Sequence, residues 1–334
     1  MRLSSVFNKF AFAACLSAAA SILPGTAVGA VEVKLAHDAP ETHLLNMTCM
    51  KFKEVLEAES NGRYTVSVFH SGQMGGDREL IEAAQMGNLT AAGVSSSPLA
   101  AFNKDFFVLD APFLFSDRKS ADAALDGELG QLLLKSLEQN NLTSLALFEN
   151  GFRFLTNSRR PVYTPDDARG LKLRVMNNAI HLAIWKALGA NPTPMSFNEV
   201  FTALQQKTID GQENPTPQIW TGKLYEVQKY MTKTYHIYTP YLIVFNKDFY
   251  DGLPEEDRKL FESATRQMVT YSRALAIEQS QECEDNIAKA GVEIIDLTPE
   301  QIALFREKTV SVLPMIEEKL SPEVLAAFRK LTQK

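Results

Sequence analysis

Two arginines carry the most suggestive chemistry in this sequence. Arg174 lies in Gly170-Leu171-Lys172-Leu173-Arg174-Val175, an apolar run with a strand pattern, and Arg153 lies in Asn150-Gly151-Phe152-Arg153-Phe154. A guanidinium among strand residues is costly to bury unless something negative meets it. Its planar fork matches a carboxylate with two parallel N–H···O bonds. The partner is either a carboxylate ligand or an internal acid such as Asp166 or Asp167, and residue types leave both open. Asn214 ends the run Asp210-Gly211-Gln212-Glu213-Asn214 and precedes Pro215. The proline holds it extended, so its amide could offer a fixed donor and acceptor to one ligand. Asn before Pro is equally a turn signal.

Signals for catalysis are weak. The chain has no GxSxG elbow, no GxGxxG opening a helix, no GK[ST] phosphate loop and no HExxH. His37, Asp38, Glu41 and His43 crowd one proline-containing loop like a metal cluster, but no helical spacing aligns them. Solvated or hydrogen-bonded loop histidines are the plainer reading. Ser95-Ser96-Ser97 has no evident base partner in sequence. No catalytic residue, metal or cofactor is therefore expected.

The 334 residues carry 40 acidic against 34 basic side chains, a formal net charge of -6. A nucleic-acid binder needs a basic footprint, and this chain lacks one. Arg2 and Lys9 precede an almost unbroken apolar run from Phe10 to Leu23, and Val28-Gly29-Ala30 supplies small residues for cleavage. Residues 1–30 thus read as a secretory signal peptide cleaved near Ala30, placing the mature chain in the periplasm. The run falls short of the roughly 20 residues a spanning helix needs, and it ends in Pro24-Gly25. Cys49 and Cys283 remain after cleavage. An oxidising compartment permits a bridge between them, while their helical settings suit two separate buried thiols.

Positioning these residues falls to alternating strands and helices, which imply a largely parallel α/β arrangement. Strands are expected at 31–36, 64–69, 89–94, 142–148, 172–175, 238–245 and 292–295. Helices are expected at 44–60, 78–86, 179–188 and 199–206, over 120–140 with a break near Gly127, and from Pro299 and Pro322. Glu255 to Ala290 contains neither Gly nor Pro. As one helix it would run about 54 Å at 1.5 Å per residue, enough to lie behind two lobes; two helices with a kink are the duller alternative. The expected division is lobe I from 31–150 plus about 238–275, lobe II from 151–237 plus about 276–320, and a C-terminal helix at 321–334.

One ordered pattern joins the suggestive segments: Leu173-Arg174-Val175, Leu188 to Met195, Glu199 to Gln205 and Asp210 to Pro215. Ser71 to Met74, Gly76-Asp77, Asn150 to Arg153 and Thr156-Asn157 stand in matching order. Over essentially the whole mature chain, the sequence resembles the substrate-binding subunits of tripartite ATP-independent periplasmic (TRAP) transporters, of the dicarboxylate-receptor type. The resemblance implies a type II-like periplasmic binding protein of two α/β lobes with a long helix spanning both. It implies that Arg174 makes the principal salt bridge to a ligand carboxylate, with Arg153 a second cationic contact and Asn214 a polar one. By position, Asn177 would face the cleft and Phe197 would pack on the ligand's carbon skeleton. From the first lobe, His37, Asp38, Asp77 and Ser97 are candidates. Met176-Asn177-Asn178 and His181 depart from the usual pattern and leave the substrate open, a C4-dicarboxylate or a sugar acid. Such a protein acts without catalysis, as a monomer, and delivers its ligand to TRAP membrane permease subunits. A ligand-binding module of a sensor system and a periplasmic enzyme acting on organic acids are the alternatives.

Overall fold

The computed structural model describes residues 30–332, so the expected signal peptide lies outside the described residues. Eleven strands follow in chain order: β1 (Val31–Ala36), β2 (Tyr64–Phe69), β3 (Ala91–Ser95), β4 (Leu142–Phe152), β5 (Phe154–Asn157), β6 (Lys172–Val175), β7 (Asn191–Pro194), β8 (Gly211–Asn214), β9 (Tyr230–Thr232), β10 (Tyr238–Asn246) and β11 (Glu293–Ile295). They form two sheets, one ordered β2-β1-β3-β10-β4 and one ordered β11-β9-β5-β8-β6-β7. In the first, β1 pairs parallel with β2 and β3, whereas β10 runs antiparallel to both β3 and β4. In the second, β6 pairs parallel with β7 and β8, and β5 runs antiparallel to β8 and β9. The protein is two-lobed, with one sheet to a lobe. The chain leaves the first sheet at Phe152, enters the second at Phe154, and returns along β10.

β10 is buried along its whole length, which is why Tyr238 to Phe245 reads as a mainly apolar and aromatic run, broken at Thr239. β8 is also buried throughout, yet its sequence is Gly-Gln-Glu-Asn. Polar groups in that position must be hydrogen-bonded or paired, and they are: Glu213 and Asn214 by the arginine described below, Gln212 by Thr156 and Asn214.

Glu255–Lys289 is one continuous helix of 35 residues, settling the choice between a spine and a kinked pair. Its 1.5 Å rise per residue gives about 52 Å. Near its start, Phe261, Ala264 and Met268 enter the core beneath the first sheet with Phe52 and Phe245. The Phe261 ring stands 6.0 Å from Phe52 and 5.7 Å from Phe245 between centroids, both edge-on. Near its end, Ile287 enters the second lobe's core beside Val200, Leu204 and Met231. The helix thus carries apolar residues into both cores. Cys49 and Cys283 are separate buried thiols. Cys49 fills the first core beneath Gly93, where an added methyl would meet its sulfur at 3.4 Å.

Candidate functional site

A cavity of about 540 Å³, its mouth included, lies between the lobes. The second lobe lines it with Arg153, Arg174, Met176, Asn177, Phe197 and Asn214, the first with Asp38, Asp77, Ser95 and Tyr241. The mouth is tight. A methyl built on Gly76 of the first lobe would sit 2.5 Å from Ser196 Oγ and 3.6 Å from Ser196 Cβ of the second.

Arg174 is buried in β6, between Leu173 and Val175. Its Nε and Nη2 both donate to the Met195 carbonyl, at 2.9 and 2.7 Å. Among the described residues it forms no ion pair with an acid. Asp166 is taken by Arg169 at 3.2 Å, and Asp167 accepts from Thr164 Oγ1 at 2.9 Å. One edge of the guanidinium is therefore pinned by backbone, and the group borders the cavity. Burial and the nearby Arg153 charge push its pKa down to about 10, against the pull of Glu213, Asp38 and Asp77.

Arg153 differs. It is fully buried and paired with Glu213 of β8: Nε to Oε2 at 2.5 Å and Nη2 to Oε1 at 3.0 Å. Nη2 also donates to Asn214 Oδ1 at 2.9 Å, and Asn214 Nδ2 donates to Gln212 Oε1 at 2.6 Å. Only Arg153 Nη1 has no partner. The internal-acid alternative therefore holds for Arg153, with Glu213 as the acid. Its charge is already neutralised, and the Nη1 amino group, with two N–H donors, remains for a ligand.

The opposite wall is acidic. Burial raises the Asp38 carboxyl to about 6, opposed by Arg174. Asp77 is held well above the usual carboxylate range by burial and then by Asp38. Its Oδ1 has no hydrogen-bond partner. Two acids that keep each other from ionising together, facing one cation, form a wall that can hold a proton and receive hydroxyl groups. Asn150 Oδ1 is likewise buried without a partner on this cavity. Tyr241 donates to Gln218 Oε1 at 3.2 Å, fixing both side chains on the wall.

Of the residues expected from sequence, the structure gathers Arg174, Arg153, Asn214, Asn177, Phe197, Asp38 and Asp77 around the cavity. It sets His37 and Ser97 apart. His37 Nε2 bonds Asn46 Oδ1 at 3.1 Å, and burial lowers its pKa to about 4, so it serves the loop as a neutral ring. His43 caps the helix Leu44–Glu59, accepting from Leu45 N at 3.0 Å. Ser97 turns away to donate to Asp110 at 2.5 Å. Ser95, Asn150, Met176, Gln218 and Tyr241 were not singled out as ligand contacts. Asn150 had a sequence signal, lying in the same short segment as Arg153.

Comparison with known proteins identifies the family. The family described as bacterial extracellular solute-binding protein, family 7 (DctP) matches residues 35–319. The 2,3-diketo-L-gulonate-binding periplasmic protein YiaO of Escherichia coli (strain K12) is 36% identical over 270 residues, 81% of this chain and 82% of its own. The C4-dicarboxylate-binding periplasmic protein DctP of Rhodobacter capsulatus is 35% identical over 308 residues, 90% of this chain and 91% of its own. The crystal structure of the sugar acid binding protein DctPAm from Advenella mimigardefordensis, in complex with galactonate, superposes with a TM-score of 0.88 at 33% identity. It covers 91% of this chain and 98% of that one. The chain belongs to the DctP family of extracellular solute-binding proteins, the substrate-binding subunits of TRAP transporters.

Proposed function

We propose that this protein captures a hydroxylated monocarboxylate of the sugar-acid class, without turning it over, and delivers it to a TRAP membrane permease from the periplasm. The observation that carries the choice is the unequal state of the two arginines. Arg174 has no acid partner among the described residues, and Arg153 is neutralised by Glu213. One uncompensated cation suits one ligand carboxylate, held by charge-assisted hydrogen bonds away from water. A second ligand carboxylate would face Asp38 and Asp77 and cost like-charge repulsion in a buried site. Hydroxyl groups there can donate to those acids and to Asn177 and Asn214. Relatives of this chain include both a sugar-acid binder and a C4-dicarboxylate binder, so family membership leaves the class open, and the acidic wall supports the sugar-acid reading.

Thermal-shift measurements with galactonate and succinate test the reading. A ligand at 100 times its Kd stabilises by about 2.7 kcal/mol, enough for a clear rise in Tm. Hydroxylated monocarboxylates are expected to give the larger shifts. A larger shift from succinate would reverse the class, and no shift from any carboxylate would end the reading.

A further inference from the structure

Behind the cavity lies a buried ionic group that ligand capture does not by itself require. His181 stands in the first turn of the second-lobe helix Ala179–Ala187, with Nε2 3.1 Å from Asp110 Oδ1 of the first lobe. Its Nδ1 is 3.4 Å from Glu213 Oε1, the acid that holds Arg153, a charge contact without hydrogen-bond geometry. His181, Asp110 and Glu213 are each 0% exposed. Asn178, at the cap of the same helix, donates to Asp110 Oδ2 at 2.6 Å and to the Ser97 carbonyl at 2.8 Å.

Two ionised carboxylates buried together call for two positive charges, because an uncompensated buried charge is strongly destabilising. Arg153 supplies one, to Glu213. Among the described residues, Asp110 is otherwise met by the Ser97 hydroxyl and the Asn178 amide, both neutral. An imidazolium donates to Asp110 from Nε2 and sets its charge beside Glu213 at Nδ1, so one cation serves both acids. Burial opposes that charge, but the contacts and charges of Asp110 and Glu213 outweigh it and raise the His181 pKa. His236 and Arg153 face Glu213 from its other side; burial first, then the Arg153 charge, lowers the His236 pKa despite the pull of Glu213.

We propose that His181 is a charged staple between the lobes: it ties Asp110 to Glu213, stabilises the closed form before any ligand arrives, and positions Arg153 at the cavity wall. This goes beyond the ligand reading and can be tested without a ligand. The Cβ of residue 76 would lie 3.6 Å from Ser196 Cβ, within the 3.5–4.5 Å range of disulfides, so Gly76→Cys with Ser196→Cys should trap the closed form. In a Cys49→Ala, Cys283→Ala background, equilibration with reduced and oxidised glutathione reads closure as the effective concentration of that thiol pair. His181→Gln and Asp110→Asn should each lower it at least tenfold, whereas Met86→Gln, at an exposed site, should not change it. In the cysteine pair alone, it should fall as rising pH deprotonates His181, with no further substitution needed. Equal values in the parent and both variants, or no pH dependence, would overturn the staple. So would failure of the parent disulfide to form, since the geometry that carries the bridge would then not be reached.

Discussion

Replacing Arg174 tests the site most directly, and its geometry sets the magnitude. Nε and Nη2 are already fastened to the Met195 carbonyl, so capture need not order this side chain. Truncating one partner of a buried, hydrogen-bonded charge pair costs about 2–5 kcal/mol. At about 1.4 kcal/mol per decade, Arg174→Ala should raise the Kd for galactonate roughly 30- to 4,000-fold. The ligand-free fold should survive. Asp38 and Asp77 would lose a stabilising cation, but their carboxyls are already raised and can protonate further. Arg174→Lys keeps the charge but gives up the fork, since one ammonium cannot serve the Met195 carbonyl and both carboxylate oxygens. An intermediate loss of about tenfold is expected. Calorimetric titration of the three proteins reads the affinities, and thermal melts of the free proteins check the fold. An alanine variant within threefold of the wild type would show that the carboxylate is anchored elsewhere.

Arg153→Met should behave in the opposite way. It removes the principal cation from buried Glu213, costing about 3–5 kcal/mol, and should lower the Tm of the ligand-free protein by on the order of 10 °C. A small change in Tm with a large loss of affinity would make Arg153 primarily a ligand contact. For Asp38, the folded pKa of about 6 exceeds the ordinary 3.8, so the folded protein holds the proton longer than the unfolded chain. This group's contribution therefore falls as pH rises from about 4 to about 6 and stays constant above, a loss of roughly 3 kcal/mol. Asp38→Asn should match the wild type near pH 4 and exceed it in stability at pH 7, while weakening ligand binding; denaturant titrations at the two pH values check the crossover. Both thiols are buried, and burial raises their pKa values, Cys283 to about 12. Neither should react with a thiol reagent in the folded protein, and both should react in denaturant; one fast-reacting thiol, or none after unfolding, would contradict two free buried cysteines.

How much of this was legible depended on what each element buries. β1, β2, β10 and the long helix press apolar side chains into a core, so their sequences carry the period or the apolar run. β5, β7, β8 and β9 were not anticipated. They are three or four residues long, β7 contains two prolines, and β8 buries Gln212, Glu213 and Asn214. A strand stabilised by hydrogen bonds to a buried arginine leaves no hydrophobic pattern. The strand that builds the site is thus hidden from periodicity by the residues that make it functional. The partner of Arg153 was hidden by distance instead: nearby Asp166 and Asp167 looked plausible, while Glu213 is sixty positions away. The first-lobe wall failed at His37 and Ser97, and at Ser97 for a local reason. Continuing the alternation of β3 would put Ser95 and Ser97 on one face, but the helix Ser96–Leu99 begins between them. That turn leaves Ser95 on the cavity and sends Ser97 to Asp110. The same rotation delivers a first-lobe hydroxyl to the acid that His181 and Asn178 reach from the second lobe. A residue that does not line the site thereby joins the contact that holds its two walls together.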